Sequence, residues 1–296
     1  MAKISVVMAV FNGAGAFPAT MASILEQTER DLEVIVVDDG STDDTPRLAA
    51  EVARTDPRVR VLTQANAGLT RALIRGCEEA RAPVIARQDC GDRSHPERLA
   101  KQLAALEAGP DVVLVSCSTR YLAPGGEELY VVEGDGDEVR RSLREDSVET
   151  IRGLSHHGSA MFRRDDYVAA GGYRERFRVA QDLDLWVRMA ARGRIAFVPE
   201  VLYEAIVEPG AISTRKRAEQ IEAARVALAL RDGKEVASAA LPPPVSARRA
   251  EANTLYFIAS CLRRRRDPHW RAYAGRALRR NPLLLRAWLL FVRPAR

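Results

Sequence analysis

The chain has 296 residues, of which 47% are hydrophobic and 29% charged, with a formal net charge of +5. This is the composition of a soluble globular protein, large enough for one big core or a core plus an appendage, and it excludes a disordered chain. The charge is uneven: residues 211–296 carry 19 Lys/Arg against 6 Asp/Glu, a balance of +13, while residues 1–210 carry 26 against 34, a balance of −8.

The elements follow in chain order. Ile4–Val10 is a continuous apolar run with β-branched residues, the pattern of a strand buried on both faces in a parallel sheet. Phe11-Asn12-Gly13 breaks it, and a helical pattern runs from about 17 to 27. Leu32–Val37 is a second buried strand, ended by Asp38-Asp39-Gly40-Ser41. A helix over about 46–53, a strand over 59–62, a helix near 70–80 and a strand over 84–86 come next. Such alternation predicts βαβ units and a doubly wound, mostly parallel sheet of Rossmann-like type, whose ligands bind beyond the C-terminal strand ends. Asp89-Cys90-Gly91-Asp92 sits at one of those ends. Crowded carboxylates repel each other, and suit a divalent cation holding a diphosphate. Ser94 and Glu97 have the spacing of a capping box for the helix that follows. Val112–Cys117 is another strand, and residues 123–138, rich in Gly, Glu and Asp, read as a mobile excursion. Gly171-Gly172-Tyr173 is a turn, Asp182 opens a helix closed by Gly193, and 195–198 and 201–203 are two short strands. Beyond Ser213 the pattern is helical, with a break at Pro242-Pro243-Pro244 and an Arg-rich helical hairpin around 255–281.

Four cysteines, Cys77, Cys90, Cys117 and Cys261, lack CxxC spacing, which argues against a zinc site or a disulfide framework and fits a reducing compartment. No signal peptide is read at the N-terminus. The late apolar run Pro282–Val292 is interrupted by Arg286 and is too short to span a bilayer. The first strand does not lead into GxGxxG, which disfavours a dinucleotide-dependent dehydrogenase. The basic tail has few aromatics and no nucleic-acid motif.

In order and spacing, five segments resemble the family 2 glycosyltransferases of GT-A fold. They are Ile4–Asn12, Glu33–Asp43, Asn66-Ala67-Gly68-Leu69, Ile85-Ala86-Arg87-Gln88-Asp89 and Gln181-Asp182-Leu183-Asp184-Leu185-Trp186. The resemblance implies an α/β GT-A domain over about 1–213, with a basic, all-helical C-terminal region over 214–296. It implies transfer of a sugar from a nucleotide-diphosphate sugar, with a UDP-sugar as the favoured donor, to a hydroxyl on a glycan or lipid-linked acceptor. The anomeric carbon is inverted. On this resemblance Val10, Phe11, Asn12, Asp38, Asp39, Asn66, Gly68, Arg71, Gln88 and Asp89 line the nucleotide-sugar site. Asp182 is the general base, which takes a proton from the acceptor hydroxyl. His157, Gly172, Tyr173 and Trp186 fall on the acceptor side, although the spacing of Trp186 from Met189 also suits core.

Three positions depart from the family pattern. Gly91 stands where the main metal-ligating carboxylate is expected, Gln181 replaces the acid before the catalytic Asp, and Glu208 replaces a His before Pro-Gly. The expected cofactor is Mn²⁺ or Mg²⁺, with Asp89, Asp92 and Glu208 as its ligands. His156 and His157 are candidates for metal or acceptor contacts. Gly91 and Gln181 also motivate a second reading, a non-catalytic nucleotide-sugar-binding or scaffold protein. The basic tail suggests a cytoplasmic protein, peripheral on the anionic inner face of the cell membrane.

Overall fold

The computed structural model describes residues 2–209, 216–234 and 245–292. The expected boundary at 213/214 and the Pro242–Pro244 break lie outside the described residues. The chain forms two compact units: Met1–Thr119 with Val132–Glu204 and Ala223–Val236, and Arg120–Val131 with Ala205–Glu222 and Ala237–Arg296.

The first unit is built on parallel strands. β1 (Ile4–Val10) lies between β2 (Leu32–Asp38) and β4 (Val84–Arg87), and β3 (Val59–Thr63) extends the sheet beyond β2. All three pairings are parallel, and their register sets Val10 beside Asp38 and Val7 beside Arg87. The βα connections use α1 (Phe17–Leu25), α2 (Thr45–Thr55) and α3 (Leu69–Glu78). The chain first winds outward from β1 to β3 and then crosses back to β4, so the order reverses between β1 and β4. A crevice at such a reversal is where α/β sheets take ligands.

Beyond β4 the sheet turns antiparallel, a change that the strand–helix alternation did not announce. β5 (Arg93–Ser94), α4 (Arg98–Glu107), β6 (Val112–Leu122), β7 (Glu128–Val132), α5 (Gly136–Glu145), β8 (Met161–Arg163), α6 (Arg164–Ala169), α7 (Gln181–Ala190) and β9 (Arg194–Ile206) complete the order β3-β2-β1-β4-β8-β6-β9-β5, with β7 on β6. Val7, Ile35, Val37, Leu73, Ile85, Leu114, Phe162 and Leu185 join one core, each at most 2% exposed. The α/β expectation holds, with a parallel-rich mixed sheet.

Four local expectations need correction. The capping box does not form: α4 starts at Arg98 after Glu97, and the Ser94 hydroxyl donates instead to Gln88 Oε1 at 2.7 Å. Pairing of β5 with β9 takes Ser94 away from the helix. The supposed excursion at 123–138 is a turn, strand β7 and the start of α5. Ala123 and Glu127 close that turn (2.8 Å), and Tyr121 stacks on Tyr130 at 4.6 Å, so its charged residues decorate a hairpin. The two short strands near 200 are one, because the fixed φ of Pro199 is compatible with an extended chain. Lastly, α7 starts at Gln181 with Ala180 before it at φ 54°, so Asp182 stands inside the first turn, and the helix stops at Ala190, before Gly193.

The second unit has its own core. Helices α9 (Ala247–Arg264) and α10 (Trp270–Arg280) form the expected hairpin, followed by α11 (Leu285–Val292). Leu255, Ile258, Leu262, Tyr273 and Ala277 pack with Ala123 and Leu129. Helix α8 (Arg217–Arg231) contributes Leu228 to the core of the first unit. No helix among the described residues is long and apolar enough to cross a membrane.

Leu73, fully buried between α3 and the parallel strands, tests this packing. Leu73→Ala is expected to lower unfolding free energy by about 2–5 kcal/mol, read from urea denaturation followed by circular dichroism.

Candidate active site

The site lies where β1, β2 and β4 end. Asp39, 3% exposed, turns back from the end of β2. Its Oδ1 accepts from Gln64 Nε2 (2.7 Å) and the Ala67 amide (2.8 Å), and its Oδ2 accepts from the Gly68 amide (2.8 Å). Asp39 therefore fixes the Asn66-Ala67-Gly68 loop, in which Asn66 and Gly68 are exposed. Asp38 accepts from the Ser41 amide through Oδ1, and its buried Oδ2 has no hydrogen-bond partner among the described residues. Asn12, at φ 52°, accepts from the Thr42 amide at 2.8 Å and ties the β1 loop to that turn. Val10 is buried, while Phe11 offers an aromatic face to solvent at 51% exposure. Arg71 is exposed and pairs with Glu175 at 2.9 Å.

The end of β4 is organised by two fully buried arginines. Arg87 donates to the Val7 carbonyl, to Asp89 Oδ1 (2.5 Å) and to His157 Nε2 (3.4 Å). Arg98 donates to the carbonyls of Gly158 and Arg87, and its guanidinium lies 5.3 Å from the centre of the Tyr203 ring. Burial pushes the Asp89 carboxyl up, but Arg87, His157 and His156 outweigh it and hold the group below its ordinary value. Gln88 is fully buried and spends its amide on Tyr203, Ser94 and Arg98. It supports the strand end from beneath.

Tyr203 is the junction. Its hydroxyl accepts from the Asp89 amide (3.1 Å) and donates to Asp92 Oδ2 (3.0 Å). His156 stacks on its ring with centroids 5.3 Å apart, and His156 Nδ1 lies 3.6 Å from Asp92 Oδ2 and 3.9 Å from Asp89 Oδ2. Asp89, Asp92 and His156 thus present ligand atoms within 4.8 Å of one another. Two carboxylates and an imidazole are a donor set that fits a divalent cation. Nδ1 accepts from the Gly158 amide at 3.0 Å, a bond that a cation on Nδ1 would replace. Glu208 is exposed and belongs to the second unit. The backbone at Gly91 explains why no carboxylate stands there: its φ of +110° strains any L side chain, although space is open. Gly158 is also constrained, since a Cβ there would lie 1.9 Å from the Tyr203 hydroxyl.

On the other side, His157 Nε2 accepts from Arg87, so the Tyr173 hydroxyl at 2.7 Å also donates to it. Burial, then Arg87, pushes the His157 imidazole down to about 4. The rings of Tyr173 and Trp186 meet its edge at 5.8 and 6.0 Å. Trp186 is 5% exposed and part of the core, and Gly172 turns the chain at φ 59°. Asp182 is half-buried in the first turn of α7, and its carboxylate accepts from the Leu183 amide. Asp182 and Asp89 act in the opposite direction on His157, and burial and Arg87 outweigh them. Burial, with Asp89 and Asp92 nearby, raises the Cys90 thiol to about 12, so it stays protonated.

Residues 5–168 match the family described as Glycosyl transferase family 2. The chain belongs to that family. It is 30% identical over 218 residues to EpsE of Bacillus subtilis (strain 168), covering 72% of this chain and 76% of EpsE. Amylovoran biosynthesis glycosyltransferase AmsE of Erwinia amylovora is 29% identical over 200 residues, covering 67% and 72%. Among solved structures, the mannosyltransferase PcManGT of Pyrobaculum calidifontis, in complex with GDP-Man and Mn²⁺, superposes with a TM-score of 0.59 at 23% identity, covering 98% of this chain and 79% of that one. S. aureus TarS 1–349 with UDP-GlcNAc gives 0.59 at 16% identity, covering 97% and 83%. These likenesses show the GT-A fold.

The residues missed from sequence were the supports. Tyr203 read only as part of a strand, and nothing marked Arg87 or Arg98 as buried. The His156-His157 pair did carry a signal, but only the fold separates a histidine facing Asp92 from one facing Tyr173. Tyr203→Phe removes an acceptor for the Asp89 amide and a donor to Asp92. It is expected to cost about 1–3 kcal/mol of stability in chemical denaturation.

Proposed function

We propose that this family 2 glycosyltransferase moves a sugar from a nucleotide-diphosphate sugar to a hydroxyl acceptor with inversion, in the assembly of a bacterial-type polysaccharide or glycoconjugate. The observation that carries the reading is the cluster at the end of β4, where Asp89, Asp92 and His156 bring ligand atoms within 4.8 Å of one another in a chain of this family. The Asp39-anchored loop, Phe11 and Asn12 would receive the base and ribose. PcManGT holds GDP-Man and TarS holds UDP-GlcNAc, which supports a nucleotide sugar as the donor class. A UDP-sugar remains our favoured donor.

An alcohol is a weak nucleophile at neutral pH, and a positioned carboxylate assists by taking its proton. Asp182 does this in our reading, with Tyr173 and His157 shaping the acceptor side. Asp89, Asp92 and His156 would hold Mn²⁺ or Mg²⁺, which when bound offsets the charge growing on the leaving diphosphate. Arg87 keeps Asp89 ionised for that role. Direct displacement needs no covalent enzyme intermediate and yields the inverted anomer. The acceptor would be a glycan or a lipid-linked glycan, met by a cytoplasmic protein on an anionic membrane surface.

Kinetic, spectroscopic and metal-binding measurements test this. Asp182→Asn should lower kcat by about 100- to 10,000-fold while nucleoside diphosphate binding is retained, and the proton NMR spectrum of the wild-type product should show the inverted anomer. Unchanged turnover would remove Asp182 from the role of base, and nucleoside diphosphate binding with no turnover in the wild-type protein would favour the non-catalytic reading. His156→Ala should weaken Mn²⁺ binding by about 10- to 100-fold in the presence of a nucleoside diphosphate, read by electron paramagnetic resonance of free Mn²⁺. The same titration of Glu208→Ala reports whether that carboxylate contributes.

A further inference from the structure

The second unit carries a surface that sugar transfer does not require. Helix α11 is apolar on two faces. On one, Ala287 is fully buried and Phe291 lies 5.1 Å from Trp270, ring centre to ring centre. On the other, Leu285, Trp288, Leu289 and Val292 follow the i, i+3, i+4, i+7 spacing of a helical stripe and are 74, 51, 41 and 78% exposed. Leu283, just before the helix, is 85% exposed. Arg286, the one charged residue of this helix, lies over the Tyr256 ring at 4.7 Å, which leaves the exposed stripe apolar, and an exposed apolar stripe marks a surface for protein or lipid. The helix's 8 residues are too few to span a bilayer, and suit a position in the plane of the interface.

At the root of this stripe is a cavity of about 490 Å³, lined by Ser246, Arg248, Arg249, Arg280, Asn281 and Leu283. Arg280 pairs with Glu251 at 2.9 Å, and Arg248 donates to the Arg280 carbonyl at 2.6 Å. Among the described residues, neither Arg248 nor Arg249 has an ion pair with an acid. The Ser246 hydroxyl caps α9 by accepting from the Arg249 amide, so the positive end of an 18-residue helix faces the same place. Leu283 belongs both to the cavity lining and to the exposed apolar surface.

We propose that this cavity and stripe form an interfacial lipid-docking site. The phosphate of an anionic phospholipid headgroup sits against Arg248 and Arg249, and its acyl chains cover Leu285, Trp288, Leu289 and Val292. A second copy of this chain is a poorer occupant, because two-fold pairing of the stripes would bring like arginines together. The proposal rests on the membrane reading above and gives it residues, but it is independent of glycosyl transfer.

Vesicle co-sedimentation of the full chain, with no sugar donor or acceptor present, tests it. Wild-type protein should pellet with vesicles of equal parts phosphatidylcholine and phosphatidylglycerol, more strongly than with phosphatidylcholine alone, and less as salt rises. R248Q/R249Q should lower the partition into the anionic vesicles by roughly 10- to 30-fold, and L285Q/W288Q should lower it by about 10-fold or more. Both variants alter exposed side chains, and an unchanged far-ultraviolet circular dichroism spectrum and thermal transition would show that they are folded. These results would overturn the proposal: no pelleting of wild type, pelleting of both variants equal to that of wild type, or a dimer that L285Q/W288Q dissociates without any vesicle binding. Saturable binding of inorganic phosphate that R248Q/R249Q abolishes, without vesicle binding, would assign the cavity to a free anion and also reject it. None of these outcomes bears on whether sugar is transferred.

Discussion

Everything at the mouth of this sheet depends on the burial of the Arg87 guanidinium at the end of the central strand β4. A cation without solvent is tolerable only when its donors are met. Here they meet the Val7 carbonyl, the Gln88 carbonyl, Asp89 and His157. One group thereby fixes the middle of β1 to the end of β4, aims Asp89, and adds to the burial that keeps His157 neutral. Arg98, itself fully buried, holds the Gly158 carbonyl and so sets the segment that carries both histidines. Loss of either arginine would strand several polar groups at once, so the two act as a single frame.

That frame gives the altered acidic motif a physical meaning. Gly91 adopts a backbone conformation that disfavours a side chain, so restoring the usual carboxylate would strain the loop. His156 stands near Asp89 and Asp92 instead, held by stacking on Tyr203. Our reading is that a donor from a distant segment replaces one lost locally. A soft spot in the motif then reflects a rearranged ligand set and need not mean lost function.

The uneven charge also resolves onto structure. The acidic excess of residues 1–210 includes Asp38, Asp39, Asp89 and Asp92 at the site, while other acids are balanced in surface pairs such as Arg47 with Asp44 and Arg58 with Asp56. The basic excess gathers on α9, α10 and the segments around them, where several guanidiniums lie over aromatic rings, as Arg271 does over Trp270 at 4.8 Å. Such stacking leaves the charge available to an anionic partner.

The parallel strands were legible in the sequence because each is a run of apolar residues closed by a polar cluster, as at Ile4–Val10 and Leu32–Asp38, while their order in the sheet was not. The family was legible because its motifs are local and evenly ordered. Features set by distant partners were not. Ser94 satisfied a local capping rule, yet β9 recruited it into a strand. The hairpin at 120–132 hid behind charged residues, since its stability comes from Tyr121 on Tyr130 and from packing on α9. Which carboxylates meet which histidine, and which arginines lose all solvent, are decided by segments some 70 residues apart, as Arg87 and His157 are. The sequence by itself determined the elements and the family, because these rest on short-range periodicity and motif. Only the tertiary structure decided the ligand geometry and the burial of charge, because both depend on long-range contacts that no local pattern encodes.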